Sequence, residues 1–454
     1  MGGAAVDWWA AGELQKVDAN MMGSYGRFHG TPFSALAELV DNAYDPGCEA
    51  SNVYIDLKWQ PPSELLTLEI RDDGAGLNPD GLEALLSLGG SRKAPLNTAR
   101  APIGSHGTGF KTASMKLGRD ALVLSKHPGG FVVGLFSSRS LSSHVRFLRL
   151  SFDSALRLQP GANSEQQRQA LHNLCPIVST PELLANALKA IPGDSGTRII
   201  LYYLSTDTEG RPELSLSQAG DDLLFRNAGS DRNSWQVSLR RYLGLLYLRP
   251  RLRLHLQGQL LPQTPVLDSL QHPWTTEGRV GGEDGAAKAA YQACFGLKQK
   301  EGPSLHADSD YGALFYKRNR LIEAYVRIPG QSRSACPEAR NVIAVVAADF
   351  LETSPTKAQI SADSRFHRLK EQHLRLRFKA YLAEALPSQL RDGQQPQPPP
   401  AKRAWRPADD WQSPSASGNR PPRQANASLP QERGGGGGSS EDGQLEQLRA
   451  DLKR

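Results

Sequence analysis

Residues 31–47, TPFSALAELVDNAYDPG, predict a short helix with two unlike faces. Thr31-Pro32 is a good start signal, because a hydroxyl N-cap precedes proline at the first helical position, and the Asp-Pro-Gly at 45–47 is a good stop. The core-facing stripe follows the i, i+3, i+4, i+7 spacing and consists of Leu36, Leu39, Val40 and Ala43. Glu38 and Asn42 lie one above the other on the remaining face. Taken alone, this pair is better explained as a solvated polar surface.

A strand that ends in an acidic, glycine-containing turn follows the helix. Apolar and polar residues alternate from Leu66 to Arg71, which predicts a half-buried strand. This strand runs into Asp72-Asp73-Gly74-Ala75-Gly76, a carboxylate at a strand end before a turn that glycines tolerate easily. The turn strengthens the case for a functional site at the preceding helix.

A second glycine-rich string, GSHGTGFK from Gly104 to Lys111, precedes a helix-compatible run that reaches Leu117. Closely spaced glycines let backbone amides approach a phosphate, and the N-terminus of a following helix adds partial positive charge. The string is not a P-loop, because GxxxxGK[ST] is absent, and its glycine spacing does not fit the dinucleotide fingerprint. The sequence therefore predicts a phosphate-binding loop of another kind.

These three segments together resemble one superfamily. ELVDNAYDP, DDGAG and GSHGTGFKTASMKLGRD, in this order, are similar to the N, DxGxG and glycine-lid motifs of the GHKL ATPases, which include gyrase B, heat-shock chaperones, histidine kinases and MutL. Within the superfamily, DNAYDP and GFKTASMKLGRD most resemble the microrchidia (MORC) family. The resemblance implies an α+β protein with a GHKL (Bergerat) ATP-binding α/β sandwich, an S5-like transducer domain and a disordered C-terminal tail.

The resemblance also implies catalytic roles. Glu38 is expected to be the general base for the water that attacks the γ-phosphate, and Asn42 to offer its amide oxygen to Mg²⁺. The segment VIAVVAADFLETSPTKAQISAD resembles the transducer stretch with a γ-phosphate-sensing lysine, which would be Lys357. Outside that resemblance, a loop lysine is usually a solvated charge.

Further residues are implied as nucleotide contacts. Asp72 is expected to accept a hydrogen bond from the exocyclic amine of adenine, while Gly74 and Gly76 let the backbone pass close to the purine. Thr197 matches the threonine near the adenine, although an ordinary strand-edge threonine would read the same. The lid around the triphosphate comprises Gly104, Ser105, His106, Gly107, Thr108, Gly109, Phe110 and Lys111. Weaker contacts are implied for Ser91, Arg92 and Lys93.

The chain divides by pattern into three parts. Residues 1–205 are expected to form the ATPase domain with an N-terminal dimerisation segment, and residues 206–386 the transducer. Residues 387–454 are rich in Gln, Pro and Gly, and we expect disorder because such a composition buries little apolar surface. Leucines spaced three and four apart at 444–454 are compatible with the start of a coiled coil.

The composition limits the classes of partner that this chain is expected to bind. The 454 residues carry a net charge of +6, which allows contact with nucleic acid without proving it. No apolar run reaches the roughly 18 residues that span a bilayer, and the start lacks the features of a secretory signal, so no membrane partner is expected. The basic stretch Arg240–Arg253 reads as a helix leading into a strand with solvated arginines. Lys317–Arg320 (KRNR) reads as a hairpin turn with solvated charges, although such turns also touch DNA phosphates.

The spacing of the four cysteines argues against a zinc site. Cys48, Cys175, Cys294 and Cys336 lie far apart, and no histidine stands near them at ligand spacing. Reduced thiols are the favoured interpretation. Many animal MORC proteins carry a CW-type zinc finger, and these cysteines do not support one.

The expected function is an ATP-dependent, slowly hydrolysing, dimerising ATPase. ATP would close a homodimer around DNA or chromatin without sequence specificity, and the MORC resemblance implies a nuclear protein acting in compaction and gene silencing. An ATP-switched interaction scaffold with incidental hydrolysis remains an alternative. Other GHKL ATPases, of the MutL repair, chaperone or histidine kinase type, remain further ones.

Overall fold

The computed structural model describes residues 13–18, 29–87, 103, 109–139, 144–161, 163–226, 233–282, 287–299, 305–332, 334, 336–354, 357 and 359–386. Several predicted features lie outside these residues. They are the start of the chain, where the dimerisation segment is expected, and the tail from residue 387 with its coiled-coil start. The expected nucleotide contacts Ser91, Arg92 and Lys93 and the lid residues Gly104 to Thr108 also lie outside.

The helices number nine among the described residues. In chain order they are α1 (Pro32–Tyr44), α2 (Pro79–Leu86), α3 (Gly109–Leu117), α4 (Ser164–Leu174), α5 (Pro181–Lys189), α6 (Ser234–Val237), α7 (Leu239–Leu245), α8 (Ser364–Arg368) and α9 (Arg375–Ala380). Short 3-10 turns lie at Pro176–Val178, Val266–Ser269 and Pro337–Asn341. π-helical turns at Leu369–Leu374 and Tyr381–Ala385 follow α8 and α9, so the helical segment is continuous from Ser364 to Ala385.

The strands form two large sheets and a small ribbon. In chain order they are β1 (Glu13–Asp18), β2 (Asn52–Gln60), β3 (Leu65–Asp72), β4 (Gly118–His127), β5 (Gly130–Ser137), β6 (His144–Phe152), β7 (Gly196–Leu204), β8 (Leu214–Leu216), β9 (Leu223–Phe225), β10 (Arg253–Leu256), β11 (Gln259–Leu260), β12 (Leu270–Val280), β13 (Ala289–Lys298), β14 (Gly312–Lys317), β15 (Arg320–Val326) and β16 (Val342–Ala347). The nine-stranded sheet has the order β1-β6-β5-β4-β7-β3-β2-β10-β11, and the five-stranded sheet the order β12-β13-β16-β14-β15. Strands β8 and β9 pair with each other.

The nine-stranded sheet is covered on both faces. One face packs on α1, α2 and α3, and the other packs on α4 and α5. The parallel pairing of β10 with β2 adds strands from beyond residue 205 to this sheet, and the predicted domain boundaries stay a prediction. One face of the five-stranded sheet packs on the helical segment from Leu369 to Leu386.

Helix α1 begins and ends where its sequence predicts. The Thr31 hydroxyl accepts a hydrogen bond from the amide of Ser34 at 3.3 Å, Pro32 is the first helical residue, and Asp45 terminates the helix in an extended conformation. The solvated surface that Glu38 and Asn42 would suggest when taken alone is not found, because Glu38 is only 5% exposed and Asn42 is half-buried; the neighbouring Asp41 is 1% exposed. The half-buried interpretation of β3 is wrong, since Thr67 and Glu69 on its polar face are buried.

Among the described residues, no helix has both the length and the apolar character needed to cross a membrane.

Candidate active site

The catalytic carboxylate and the lysine predicted from the transducer lie in contact. The Lys357 ammonium donates to Oε1 and Oε2 of Glu38 at 2.9 and 2.8 Å, across 319 residues of sequence. Lys357 adopts a left-handed backbone conformation (φ 51°), and its amide donates to the carbonyl of Ser354 at 2.9 Å. Pairing between Thr353 and Ile360 closes the base of the loop. The loop thus delivers a cation to the carboxylate of α1.

A second carboxylate on α1 extends this ion pair into a buried cluster, and sequence reasoning missed it. Asp41 Oδ2 lies 3.3 Å from Lys357 Nζ, and both Asp41 oxygens accept from Nε of Arg320, at 3.0 and 3.1 Å. The Tyr247 hydroxyl donates to Asp41 Oδ1 at 2.8 Å. The only signal in the sequence is the spacing of Glu38 and Asp41, which places both on one side of a helix.

Arg320 corrects the interpretation of the KRNR segment. The segment does form the predicted hairpin, with Arg318 and Asn319 in left-handed conformations between β14 and β15. Arg320, however, is 2% exposed and ion-paired with Asp41, so its charge is neither solvated nor available to DNA. A period-two pattern cannot show this, because burial of Arg320 depends on a partner 279 residues away.

The pKa values of the ionisable side chains in the cluster depend on burial and on the neighbouring charges. Burial raises the pKa of Glu38, and the Asp41 charge adds to this against the opposing effect of Lys357. Burial also opposes ionisation of Asp41, but Arg320 and Lys357 together hold its pKa below the usual value. The two carboxylates raise the pKa of Lys357 in spite of its burial. In the structure the cluster thus pairs two carboxylates with two basic side chains in direct contact.

Asn42, the expected magnesium ligand, lies one turn beyond Glu38 and would bind the ion through its amide oxygen. Its amide Nδ2 is a donor that is buried without a hydrogen-bond partner in the described structure, and an acceptor such as a phosphate oxygen would satisfy it. Within the described residues, no group of three or more His, Cys, Asp or Glu side chains is arranged to hold a metal. Mg²⁺ at Asn42 would thus take its other oxygen ligands from the triphosphate and water, as this ion commonly does.

The N-terminus of α3 abuts the carboxylate. A Cβ on Gly109 would lie 2.7 Å from Oε2 of Glu38, so the backbone approaches at a distance that only glycine permits. The first amides of α3 have no partners within the helix and suit an anion. Side chains of the next two lid residues point elsewhere: Phe110 packs near Phe136 in the core, and Lys111 donates to the carbonyl of Ala84 at 3.3 Å. For these two residues, only the backbone is available for the predicted phosphate contact.

Asp72 lies at the end of β3, where the base-binding carboxylate is predicted. Its Oδ1 accepts from the amide of Gly74 at 2.9 Å and from the Cys48 thiol at 3.6 Å. A Cβ on Gly74 would lie 2.3 Å from that thiol, so the position requires glycine. Burial raises the pKa of Asp72 to about 6, although these hydrogen bonds oppose the rise.

Thr197 and Gly76 complete this pocket, together with a serine that sequence reasoning missed. Thr197 pairs with Asp72 across β7 and β3, and its hydroxyl lies 3.0 Å from the hydroxyl of Ser125 on β4. Ser125 is fully buried and accepts from the amide of Leu77 at 2.8 Å. Gly76 (φ +72°) passes so close to β4 that a Cβ would lie 1.9 Å from a backbone oxygen of Lys126. The turn is therefore fixed against the strand that supports Thr197.

The C-terminal turn of α1 connects this site to the second half of the chain. Tyr44 stacks on Tyr247 with ring centroids 4.5 Å apart, and the guanidinium of Arg251 lies over the Tyr44 ring, 4.4 Å from its centroid. The Asn319 amide donates to the Tyr44 hydroxyl at 2.8 Å. Glu38 and Asn42 thus belong to the same short helix as the residues that bind the hairpin β14–β15.

Two protein-family models match the chain in its two halves. The model described as "Histidine kinase-, DNA gyrase B-, and HSP90-like ATPase" matches residues 30–153, and "Morc6 ribosomal protein S5 domain 2-like" matches residues 237–382. The chain belongs to the MORC family of GHKL ATPases. The predicted fold, an ATP-binding GHKL domain followed by an S5-like transducer, and the assignment to an ATP hydrolase family are thereby confirmed.

Relatives within the MORC family are similar over most of this chain. MORC family CW-type zinc finger protein 3 of Mus musculus is 30% identical over 353 residues, covering 72% of this chain and 35% of its own length. Protein MICRORCHIDIA 6 of Arabidopsis thaliana is 28% identical and covers 72% of this chain and 52% of its own length. ATPase morc-1 of Caenorhabditis elegans is 31% identical, covering 55% of this chain and 30% of its own length. The chain thus spans between about a third and a half of these relatives.

A remote likeness in structure is also found. The ATPase region of Saccharomyces cerevisiae topoisomerase II aligns with 77% of this chain and 84% of its own, at 14% identity and a TM-score of 0.40.

Proposed function

We propose that this MORC protein hydrolyses ATP slowly, and that ATP closes a homodimer of it around DNA in the nucleus, in support of chromatin compaction and silencing. The observation that carries the proposal is the contact of Glu38 with Lys357. This contact joins the expected base on α1 to a loop of the second domain. Nucleotide binding that breaks the contact would therefore affect both halves of the chain.

The proposed reaction begins when Lys357 leaves Glu38 for the γ-phosphate of ATP. Glu38 then accepts a proton from the attacking water, whose oxygen bonds to the γ-phosphorus as the bond to the β,γ-bridging oxygen breaks, leaving ADP and phosphate. Asp72 and Thr197 hold the adenine, and the backbone at Gly109 faces the phosphates. Mg²⁺, when bound at Asn42, would neutralise phosphate charge.

DNA as the partner follows from the family and from the net charge of +6. A protein ring closed around DNA and a protein that binds DNA through a basic surface differ in how added salt releases them from the DNA. Ion-paired contacts weaken steeply with salt, whereas a ring threaded on a closed circle stays in place. We therefore expect non-sequence-specific binding that becomes salt-resistant on circular DNA only when ATP is bound.

The test compares binding of the full chain to circular and linear duplexes of one random sequence, at rising salt, with and without a non-hydrolysable ATP analogue. Salt-resistant retention on the circle with the analogue, and its loss on cutting the circle, is the expected result. Asn42→Ala, which removes the magnesium ligand, should behave as wild type without nucleotide. DNA binding that ignores both nucleotide and topology contradicts the clamp, and no binding in any condition removes DNA from the proposal.

An ATP-switched scaffold with incidental hydrolysis is a second candidate, favoured by the same contact. Because Lys357 occupies both oxygens of Glu38, the base is blocked until the lysine moves, which suits a slow switch. Sedimentation of the full chain with the analogue, without DNA, tests the switch itself. A dimer that persists in Asn42→Ala with no nucleotide bound contradicts both candidates.

A further inference from the structure

The buried pair of Asp41 and Arg320 adjoins the proposed catalytic residues without touching the expected substrate position. Arg320 Nε lies 3.0 and 3.1 Å from the two Asp41 oxygens, and both side chains are 2% exposed. The same carboxylate lies 3.3 Å from Lys357 Nζ. Asp41 therefore contacts two cations: Arg320, which stays in place, and Lys357, which leaves in the proposed reaction.

Arg320 is fixed by its strand rather than by Asp41 alone. It is the first residue of β15, and its Nη1 donates to the carbonyl of Leu321 at 2.5 Å. The amide of Leu321 in turn donates to the carbonyl of Leu246 at 2.9 Å, and Asn319 in the preceding turn donates to Tyr44 of α1. A guanidinium held this way is an immobile positive charge facing Asp41.

Among the described residues, in contrast, the contacts of the Lys357 ammonium are with carboxylates. Glu38 supplies two oxygens and Asp41 supplies one. If Asp41 were not neutralised by Arg320, the lysine would lie between two free anions and leave reluctantly. If Asp41 were absent, the charges of Lys357 and Arg320 would repel each other, and the lysine would leave more readily.

We infer that Asp41 and Arg320 are positioning residues of the ATPase reaction: Asp41 holds the Lys357 ammonium beside Glu38, and Arg320 neutralises Asp41 so that the lysine can move to the γ-phosphate. The inference rests on the proposed function, because it takes Glu38 as the base and Lys357 as the phosphate-sensing group. It assigns the KRNR hairpin to nucleotide discrimination rather than to DNA contact.

The surroundings of Glu38 contain further polar groups, which any pH dependence must include. Tyr242 of α7 lies close to Arg320, and the Tyr247 hydroxyl occupies the remaining side of Asp41. From α3, the N-terminal backbone at Gly109 approaches Glu38. Burial, then Lys116 and Lys357, lower the pKa of nearby His29 to about 4, so it is neutral at the pH of the experiment.

The first test measures the affinity of the full chain for a non-hydrolysable ATP analogue relative to ADP, by calorimetry. Asp41→Asn should raise this ratio and Arg320→Gln should lower it, each by at least about fivefold. The double variant restores the charge balance and should return the ratio close to that of the wild type. Arg139→Gln is the matched control, because Arg139 is paired with the buried Asp120 elsewhere in the fold.

The second test follows turnover against pH. Asp41→Asn removes an anion near Glu38 and should move the acid limb of kcat to lower pH, and Arg320→Gln should move it to higher pH, each by about one unit. Loss of packing alone would reduce activity without shifts of opposite sign. Shifts of the nucleotide ratio in the same direction in both single variants, or an equal shift in Arg139→Gln, would overturn the inference.

Two outcomes separate this inference from the proposed function. Absence of ATP and ADP binding in the folded wild type contradicts the proposed function, and the inference with it. Nucleotide binding and hydrolysis with no change of ratio in a folded Asp41→Asn variant contradict the inference alone. Melting temperatures establish folding, and if Arg320→Gln does not fold, Asp41→Asn and the double variant still decide.

Discussion

The Lys357 ammonium covers both carboxylate oxygens of Glu38, at 2.9 and 2.8 Å, and so closes the position from which a base would accept a proton. One contact thereby restrains the expected base and ties the second domain to α1. Because breaking a buried ion pair needs a competing anion, a γ-phosphate is a suitable trigger.

Glu38→Gln should abolish hydrolysis while leaving nucleotide binding in place. Removal of a general base lowers turnover by roughly 10² to 10⁴-fold, and the isosteric amide keeps the packing of α1. Phosphate release measures turnover, and sedimentation with ATP should show a persistent dimer. Glu83→Gln, which removes the half-exposed partner of Arg149, is the matched control and should hydrolyse ATP normally. Equal activity of both variants would exclude Glu38 as the base.

Lys357→Met should destabilise the fold, and less so in acid. The loss is about 3 kcal/mol at pH 8, because it leaves two buried carboxylates with one cation. The two carboxylates raise the pKa of Lys357 above its ordinary value of 10.5, so the lysine is charged at pH 8 and at pH 5, and the pH dependence of the loss comes from Glu38. The raised pKa of Glu38 rises further without the lysine, so protonation relieves the variant as pH falls. Denaturant unfolding at pH 8 and pH 5 measures this difference.

Lys116→Met provides the comparison for that experiment. Lys116 is paired with a single carboxylate, that of Glu213, at 3.0 Å, and both side chains are more exposed than those of Lys357 and Glu38. Its destabilisation should be small and nearly independent of pH. A pH-independent loss in Lys357→Met would show that the lysine contributes by packing alone.

ATP affinity should fall below about pH 6 because of Asp72. Its pKa is raised to about 6 by burial, so the carboxylate accepts the adenine hydrogen bond above that pH and is protonated below it. Calorimetric titration from pH 5 to pH 8 should show the loss. Asp72→Asn should bind ATP weakly at every pH, and whatever pH dependence it retains belongs to the phosphates. An unchanged pH profile in Asp72→Asn would remove Asp72 from base recognition.

Gly109→Ala should lower turnover on the order of 10²-fold, since small displacements of catalytic groups have effects of that size. The added Cβ would lie 2.7 Å from Oε2 of Glu38 and must displace either the carboxylate or α3. Alanine favours helices, so propensity predicts no loss. Gly161→Ala, where nothing lies within 4 Å of the added Cβ, is the control. Normal phosphate release by Gly109→Ala would show that the two elements separate in the working enzyme.

Local features of the site were predictable because each depends on neighbours in the chain. The start of α1 at Thr31-Pro32 follows from an N-cap hydroxyl and the fixed φ of proline. The turn at Gly74 and Gly76 follows from residues that alone tolerate a close backbone approach. Lys357 was identified only through resemblance to a family, since nothing local distinguishes it from a solvated loop lysine.

By itself, the sequence determined the caps of α1 and the glycine-rich turns, since these are set by side-chain chemistry and spacing within single elements, and the α+β class followed from the resemblance to a family. It did not determine that the polar face of α1 is buried. That depends on the hairpin β14–β15, whose Arg320 lies 279 residues from Asp41, and on the loop that brings Lys357 to Glu38. A charge is buried only where the tertiary structure supplies an opposite charge in contact with it, so solvated and ion-paired residues look alike until the chain is folded.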